Sequence, residues 1–217
     1  AHGAHDHGGA ADHDHGGAVT QEPAAAPSVA WTPLPAHVRA VDTDPAPRVV
    51  AVDLVARAGE WEYAPGRRVR ALTYNGSAPG PVIEARVGDT LVVRLRNELN
   101  EPTTIHWHGL RVPVAMDGTP QSVVPPGGTF EYRFELPDAG TYWYHPHTNE
   151  PYQLEHGLYG AIIVHGENEP NTDATQLFVL DDLKLGADGQ IAPPGGVGEL
   201  HSGRQGPMLL VNGRAGA

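Results

Sequence analysis

Phe130, Tyr132, Phe134 and Leu136 alternate with Glu131, Arg133 and Glu135. Successive side chains of a strand point to opposite faces, so such a run buries one clean face only as β-structure. The same period recurs at Thr90–Asn97, where Leu91, Val93 and Leu95 face one way and Val92, Arg94 and Arg96 the other. It recurs again from Val50 to Arg57. Shorter candidates are Trp61–Tyr63, Val69–Tyr74, Val82–Ala85, Thr103–His108, Thr141–His147 and Leu158–His165. Asn75-Gly76, Pro79-Gly80-Pro81, Gly88-Asp89 and Pro125-Pro126-Gly127-Gly128 lie between them as turn formers. Close-spaced short strands without a long helical period predict an all-β fold, a Greek-key β-sandwich or barrel. Residues 152–157 are expected to form one helical turn.

The flanks differ in character. Residues 1–30 carry His2, His5, His7, His13 and His15 among Gly, Ala and Asp, and read as a disordered tail. Such tracts can capture transition metals loosely; a flexible leader without a defined site is an equal reading. Residues 31–47 hold Trp31, Pro33, Pro35, Pro45 and Pro47 and read as a Pro-rich extended connector, laid on the domain by Trp31 and Leu34. Residues 48–166 form the strand-rich domain. After the polar stretch Glu167–Asp173, strands are expected at Gln176–Leu180 and Met208–Val211. Val211-Asn212-Gly213-Arg214-Ala215 repeats the pattern of Tyr74-Asn75-Gly76-Ser77-Ala78. Residues 167–217 therefore read as a linker and the truncated start of a second, similar domain.

The balance of 14 Lys+Arg against 26 Asp+Glu gives a net charge of −12, which repels nucleic acid. With no cysteine, the chain alone can build no thiolate metal site and no disulfide. No apolar run approaches the roughly 20 residues of a membrane span. A chain starting at Ala1 fits a mature export product, so a periplasmic or secreted location is expected.

Two His-x-His strings carry the chemistry: His106-Trp107-His108-Gly109 and His145-Pro146-His147. On a strand, each pair faces one way, with Cα atoms roughly 6.6 Å apart. Four imidazoles on two neighbouring strands make a metal site, and imidazole suits zinc, copper, iron and nickel. Structural histidines are the plain alternative. Asp117, before Gly118, reads from the local pattern as a turn Asp. His156 and His165 fit no ligand pattern and read as surface or structural, and His37 and His201 as loop residues. Trp107, Trp143 and Tyr144 read as walls that keep water from the site, with Trp107, Tyr142 and Trp143 equally read as core, and Met116 as filler.

Thr104-Ile105-His106-Trp107-His108-Gly109-Leu110, then Met116-Asp117-Gly118, then Gly140-Thr141-Tyr142-Trp143-Tyr144-His145-Pro146-His147, then Gly157–Val164 resemble the amino-terminal cupredoxin domain of multicopper oxidases. The resemblance spans about residues 48–217 and includes laccases and bacterial cuprous-ion oxidases. It implies a cupredoxin-like β-sandwich followed by the first strands of a second such domain. It implies copper as cofactor and a coupled reaction: phenols, aromatic amines or cuprous ion are oxidised while O₂ is reduced to water. His106 matches a type 2 copper ligand, and His108 and His145 match ligands of one type 3 copper. His147 matches a ligand of the other type 3 copper, and Asp117 an acidic group that delivers protons to oxygen.

The chain departs from the family in lacking the His-x-x-His-x-His and His-Cys-His segments of the carboxy-terminal domain. Those segments supply four more cluster ligands and the type 1 copper. The expectation is therefore half of a trinuclear site, completed by a carboxy-terminal cupredoxin domain or another chain. Alone, the chain is expected to hold copper weakly and not to turn over. A non-catalytic copper-sequestering protein of an exported copper-resistance system is the competing reading. A zinc hydrolase ranks last, because no acid/base motif accompanies the histidines.

Overall fold

A computed structural model of the chain describes residues 36–119, 122–195, 199 and 204–216. The histidine tail, Trp31, Leu34 and His201 lie outside the described residues.

Two four-stranded sheets face each other across the main core. One has the order β2-β1-β4-β6, with β1 at Val49–Ala64, β2 at Arg67–Tyr74, β4 at Thr90–Asn97 and β6 at Thr129–Glu135. The other has the order β3-β8-β7-β5, with β3 at Ile83–Arg86, β5 at His106–His108, β7 at Gly140–His145 and β8 at Gly160–His165. The chain crosses between sheets after β2, β3, β4, β5 and β6, the all-β sandwich that the alternation predicts. β1 pairs parallel with β4, and β3 with β8; the other neighbours are antiparallel.

The period-two pattern produces the core directly. Val52 and Leu54 of β1, Leu91, Val93 and Leu95 of β4, and Tyr132 and Phe134 of β6 point inward. They meet Ile83, Trp107, Tyr144, Ile162 and Val164 from the second sheet. Trp107 is fully buried, with its ring 5.3 Å from those of Tyr132 and Phe134. Burying an aromatic or aliphatic side chain of this size stabilises the fold by roughly 1.5–3 kcal/mol.

β1 is one 16-residue strand, not the two short runs expected from sequence. Ala58-Gly59-Glu60 interrupts the apolar pattern and hides the continuity. The first half of β1 pairs with β4 and the second half with β2. That second half carries Trp61 and Tyr63 into a separate small core with Val69, Ala71, Leu183, Ile191 and Leu210. Its other wall is a three-stranded sheet, β11-β10-β9, formed by Leu180–Leu183 (β9), Met208–Val211 (β10) and Arg214–Ala215 (β11). The strand expected at 176–180 thus begins at Leu180.

Two Asn-Gly turns are built alike. Asn75 and Asn212 have φ of 53° and 52°, and Gly76 and Gly213 have φ of 82° and 76°, the left-handed conformation that this dipeptide adopts readily. Asn75 donates its backbone N–H to Val55 O, accepts from Val55 N at Oδ1, and donates from Nδ2 to Asp53 O. Asn212 makes the same three bonds to Val179 O, Val179 N and Leu177 O. The indole of Trp61 donates to Gly213 O of the second turn at 2.9 Å.

Candidate metal centre

β5 and β7 pair in the register His106↔His145, Trp107↔Tyr144 and His108↔Trp143. Alternation sends Trp107 and Tyr144 into the core, where both are fully buried. It sends His106, His108, Trp143 and His145 to the opposite face. His147 lies beyond the end of β7, not on the strand as expected, because Pro146 ends the ladder. The His147 ring still stands 4.3 Å from that of His106. The backbone N–H of His147 donates to Thr104 Oγ1 at 2.8 Å, which ties the second string to the residues preceding the first.

The ring nitrogens are held selectively. His106 donates from Nδ1 to Asp117 O at 2.9 Å, with the Asp117 carboxylate Oδ1 3.2 Å from the same nitrogen. His145 donates from Nδ1 to Pro146 O at 3.0 Å. Each bond fixes the tautomer and leaves Nε2 as a free lone pair, the arrangement that orients metal-bound imidazoles. Burial pushes His145 down to about 4, against the Pro146 hydrogen bond that favours the charged ring; the neighbouring histidines add to the depression. His145 is therefore neutral, the form that binds a metal, at any physiological pH.

His106, His145 and His147 bring one nitrogen each within 4.8 Å of one another. His108 Nδ1 and His145 Nε2 are 3.2 Å apart. With metal–imidazole bonds of roughly 2.0–2.1 Å, two nitrogens at that separation subtend roughly 100° at one ion. The four histidines thus fit a transition-metal site whose donors are all neutral nitrogen, the donor type suited to copper and zinc.

Asp117 is brought to the site by the 3₁₀ turn Val114–Met116 and by Gly118. Gly118 has φ of 68°, and a Cβ there would lie 1.7 Å from Ile105 O. Only glycine lets this loop close against the residue before His106. His156 and His165, read as structural or surface, are not with the cluster. His156 is buried and donates from Nδ1 to Tyr152 O at 2.7 Å, just past the helix Glu150–Glu155 (α1). His165 faces Glu169 and Glu84. His37 meets Leu177 O. Tyr132 supports the site in a way the sequence did not signal, because it reaches Ile105 from the opposite sheet; Trp143, read as core or as a wall of the site, stands on the histidine face.

A family profile described as multicopper oxidase matches residues 56–169, more than half of the 217 residues. The chain belongs to the multicopper oxidase family. Among curated relatives, it is 47% identical over 120 residues to multicopper oxidase MmcO of Mycobacterium tuberculosis, covering 54% of this chain and 23% of that protein. It is 40% identical over 122 residues to copper resistance protein A of Pseudomonas syringae pv. tomato, covering 54% of this chain and 20% of that protein. Among solved structures, a multicopper oxidase of Campylobacter jejuni, described as a metallo-oxidase, superposes with a TM-score of 0.77 at 33% identity. That match covers 84% of this chain and 40% of the other. A multicopper oxidase of Pseudomonas thermotolerans gives a TM-score of 0.73 at 37% identity, covering 77% of this chain and 42% of the other. The fold is the cupredoxin-like β-sandwich of these enzymes. The chain spans about a fifth to a quarter of the curated relatives' length and about two fifths of the solved chains.

Proposed function

We propose that this chain is the amino-terminal part of a copper-dependent oxidase and supplies half of the ligands of a trinuclear copper cluster. The observation that carries the reading is the convergence of His106, His108, His145 and His147 on one face of the β5–β7 pair. Copper, when bound there, would supply the one-electron chemistry that couples oxidation of a phenol, an aromatic amine or cuprous ion to reduction of O₂ to water. In this reading Nε2 of His106 serves the type 2 copper. Nδ1 of His108 and Nε2 of His145 serve one type 3 copper, and His147 serves its partner. The Asp117 carboxylate hands protons toward oxygen and keeps His106 oriented through Nδ1. Trp107 and Tyr144, packed beneath the histidines, keep water from reaching the cluster through the core.

Residues 167–217, in the same reading, are a linker and the opening of a second cupredoxin-like domain. The support is that Asn212 repeats the three hydrogen bonds of Asn75, bond for bond. A further cupredoxin domain, in this chain's continuation or in another chain, brings the remaining ligands and the type 1 copper. A periplasmic or secreted location goes with this function. Four imidazoles without those partners hold copper weakly and give no turnover.

The competing reading, non-catalytic copper sequestration in an exported copper-resistance system, is favoured by the likeness to copper resistance protein A and by the histidine tail. The coding sequence beyond Ala217 separates the two. A downstream His-Cys-His segment, with O₂ uptake by the full product on a phenol or cuprous ion, supports the oxidase. Sustained turnover by the 217-residue chain alone refutes it, as does a coding sequence without that segment when no second chain restores O₂ uptake.

A further inference from the structure

The four histidines are not all held alike. His106 and His145 each have Nδ1 bonded to a backbone carbonyl. His108 has no such bond among the described residues; its one hydrogen bond runs to His145, the group that would share its metal. His108 is also the most exposed of the four. A ring so placed can turn about its side-chain torsions, and a loosely held ligand binds metal poorly.

Trp143 stands where the missing restraint is needed. It is directly opposite His108 in the ladder and two residues before His145 on the same strand face. Its ring lies 4.8 Å from that of His108 at 28°, and 4.1 Å from that of His145 at 15°. The two imidazoles are themselves inclined by 35°. One flat indole thus contacts both faces. Trp143 is 36% exposed, unlike the fully buried Trp107, so filling the core does not account for it. Its outer edge borders an open groove of about 440 Å³ alongside Leu154, Phe178 and Leu180.

We infer that Trp143 is a positioning residue for the metal pair His108–His145, its indole face doing for His108 what a backbone carbonyl does for His106 and His145. The inference rests on the metal-site reading given above. Offset stacking of an imidazole on a fixed indole biases a surface ring toward one orientation. Loss of an orienting neighbour costs about 10–100-fold in metal affinity.

The test uses the whole chain with the five tail histidines replaced by alanine, titrated with cupric ion. Affinity and the copper hyperfine splitting by paramagnetic resonance are read for the parent, Trp143→Phe, Trp143→Leu and His108→Ala. Trp143→Leu is expected to lose about 10–100-fold in affinity and to broaden the spectrum, while Trp143→Phe, still flat, stays within a few-fold. Thermal unfolding of all variants checks that the fold is intact. Should Trp143→Leu match the parent while His108→Ala loses copper, or should Phe fail as badly as Leu, the positioning role is wrong and the metal site stands. Should His108→Ala keep parental affinity, the metal-site reading itself falls.

Discussion

The backbone N–H of Ile105 donates to the hydroxyl of Tyr132, 2.8 Å away, from the opposite sheet and one residue before His106. Burial pushes the Tyr132 hydroxyl up to about 12, so it stays protonated. Removing the hydroxyl leaves a buried N–H without a partner. Tyr132→Phe should therefore cost about 1–3 kcal/mol, read as a lower denaturant midpoint with an unchanged slope. A variant as stable as the parent would mean that Ile105 finds another acceptor.

Gly118 makes a stronger demand. A methyl group there meets the Ile105 carbonyl at a distance no structure tolerates, on a backbone that already disfavours side chains. Gly118→Ala should destabilise by about 1–3 kcal/mol or more and displace Asp117 from His106, weakening copper binding as well. Stability and affinity both unchanged would show that the loop relaxes freely.

His108 and His145 should fail together. If one ion sits between nitrogens 3.2 Å apart, His108→Ala and His145→Ala remove the same ion. Copper stoichiometry should drop equally in each single variant and little further in the double. Additive losses would place the two rings on separate ions.

His156 gives a pH test away from the metal. Burial lowers it below its ordinary value of 6.5, with the bond to Tyr152 O acting in the other direction. The unfolded chain then binds more protons as pH falls through about 6.5, so folded stability drops below that pH. His145, held at about 4, adds to the same loss between those values. His156→Asn should flatten the fall in denaturant midpoint between pH 7 and 5 relative to the parent. Identical slopes would remove His156 from the account.

Much of this architecture is legible before any coordinates. Residues such as Leu91, Val93 and Leu95 can bury one face only as strands, and the two His-x-His strings must then each face one way. Other features depend on which strands become neighbours, and local pattern does not carry that. Trp143 is apolar by composition yet stands outside, because the β5–β7 register puts it on the histidine face. His147 converges from beyond the strand end, drawn in by Thr104. Tyr132 reaches Ile105 only because two sheets stack. The length of β1 is masked by Gly59, which pairs with Ala71 inside the β1–β2 ladder and breaks nothing.

In the proposed function these four histidines, and not the tail, hold the copper. Paramagnetic resonance of the chain loaded with one equivalent of cupric ion measures it most directly, using two variants. With His2, His5, His7, His13 and His15 changed to alanine, a cupric signal with imidazole-nitrogen coupling should persist. With His106, His108, His145 and His147 changed instead, that signal should disappear or convert to a weaker, tail-bound form. A signal that follows the tail histidines and ignores the other four would contradict the account.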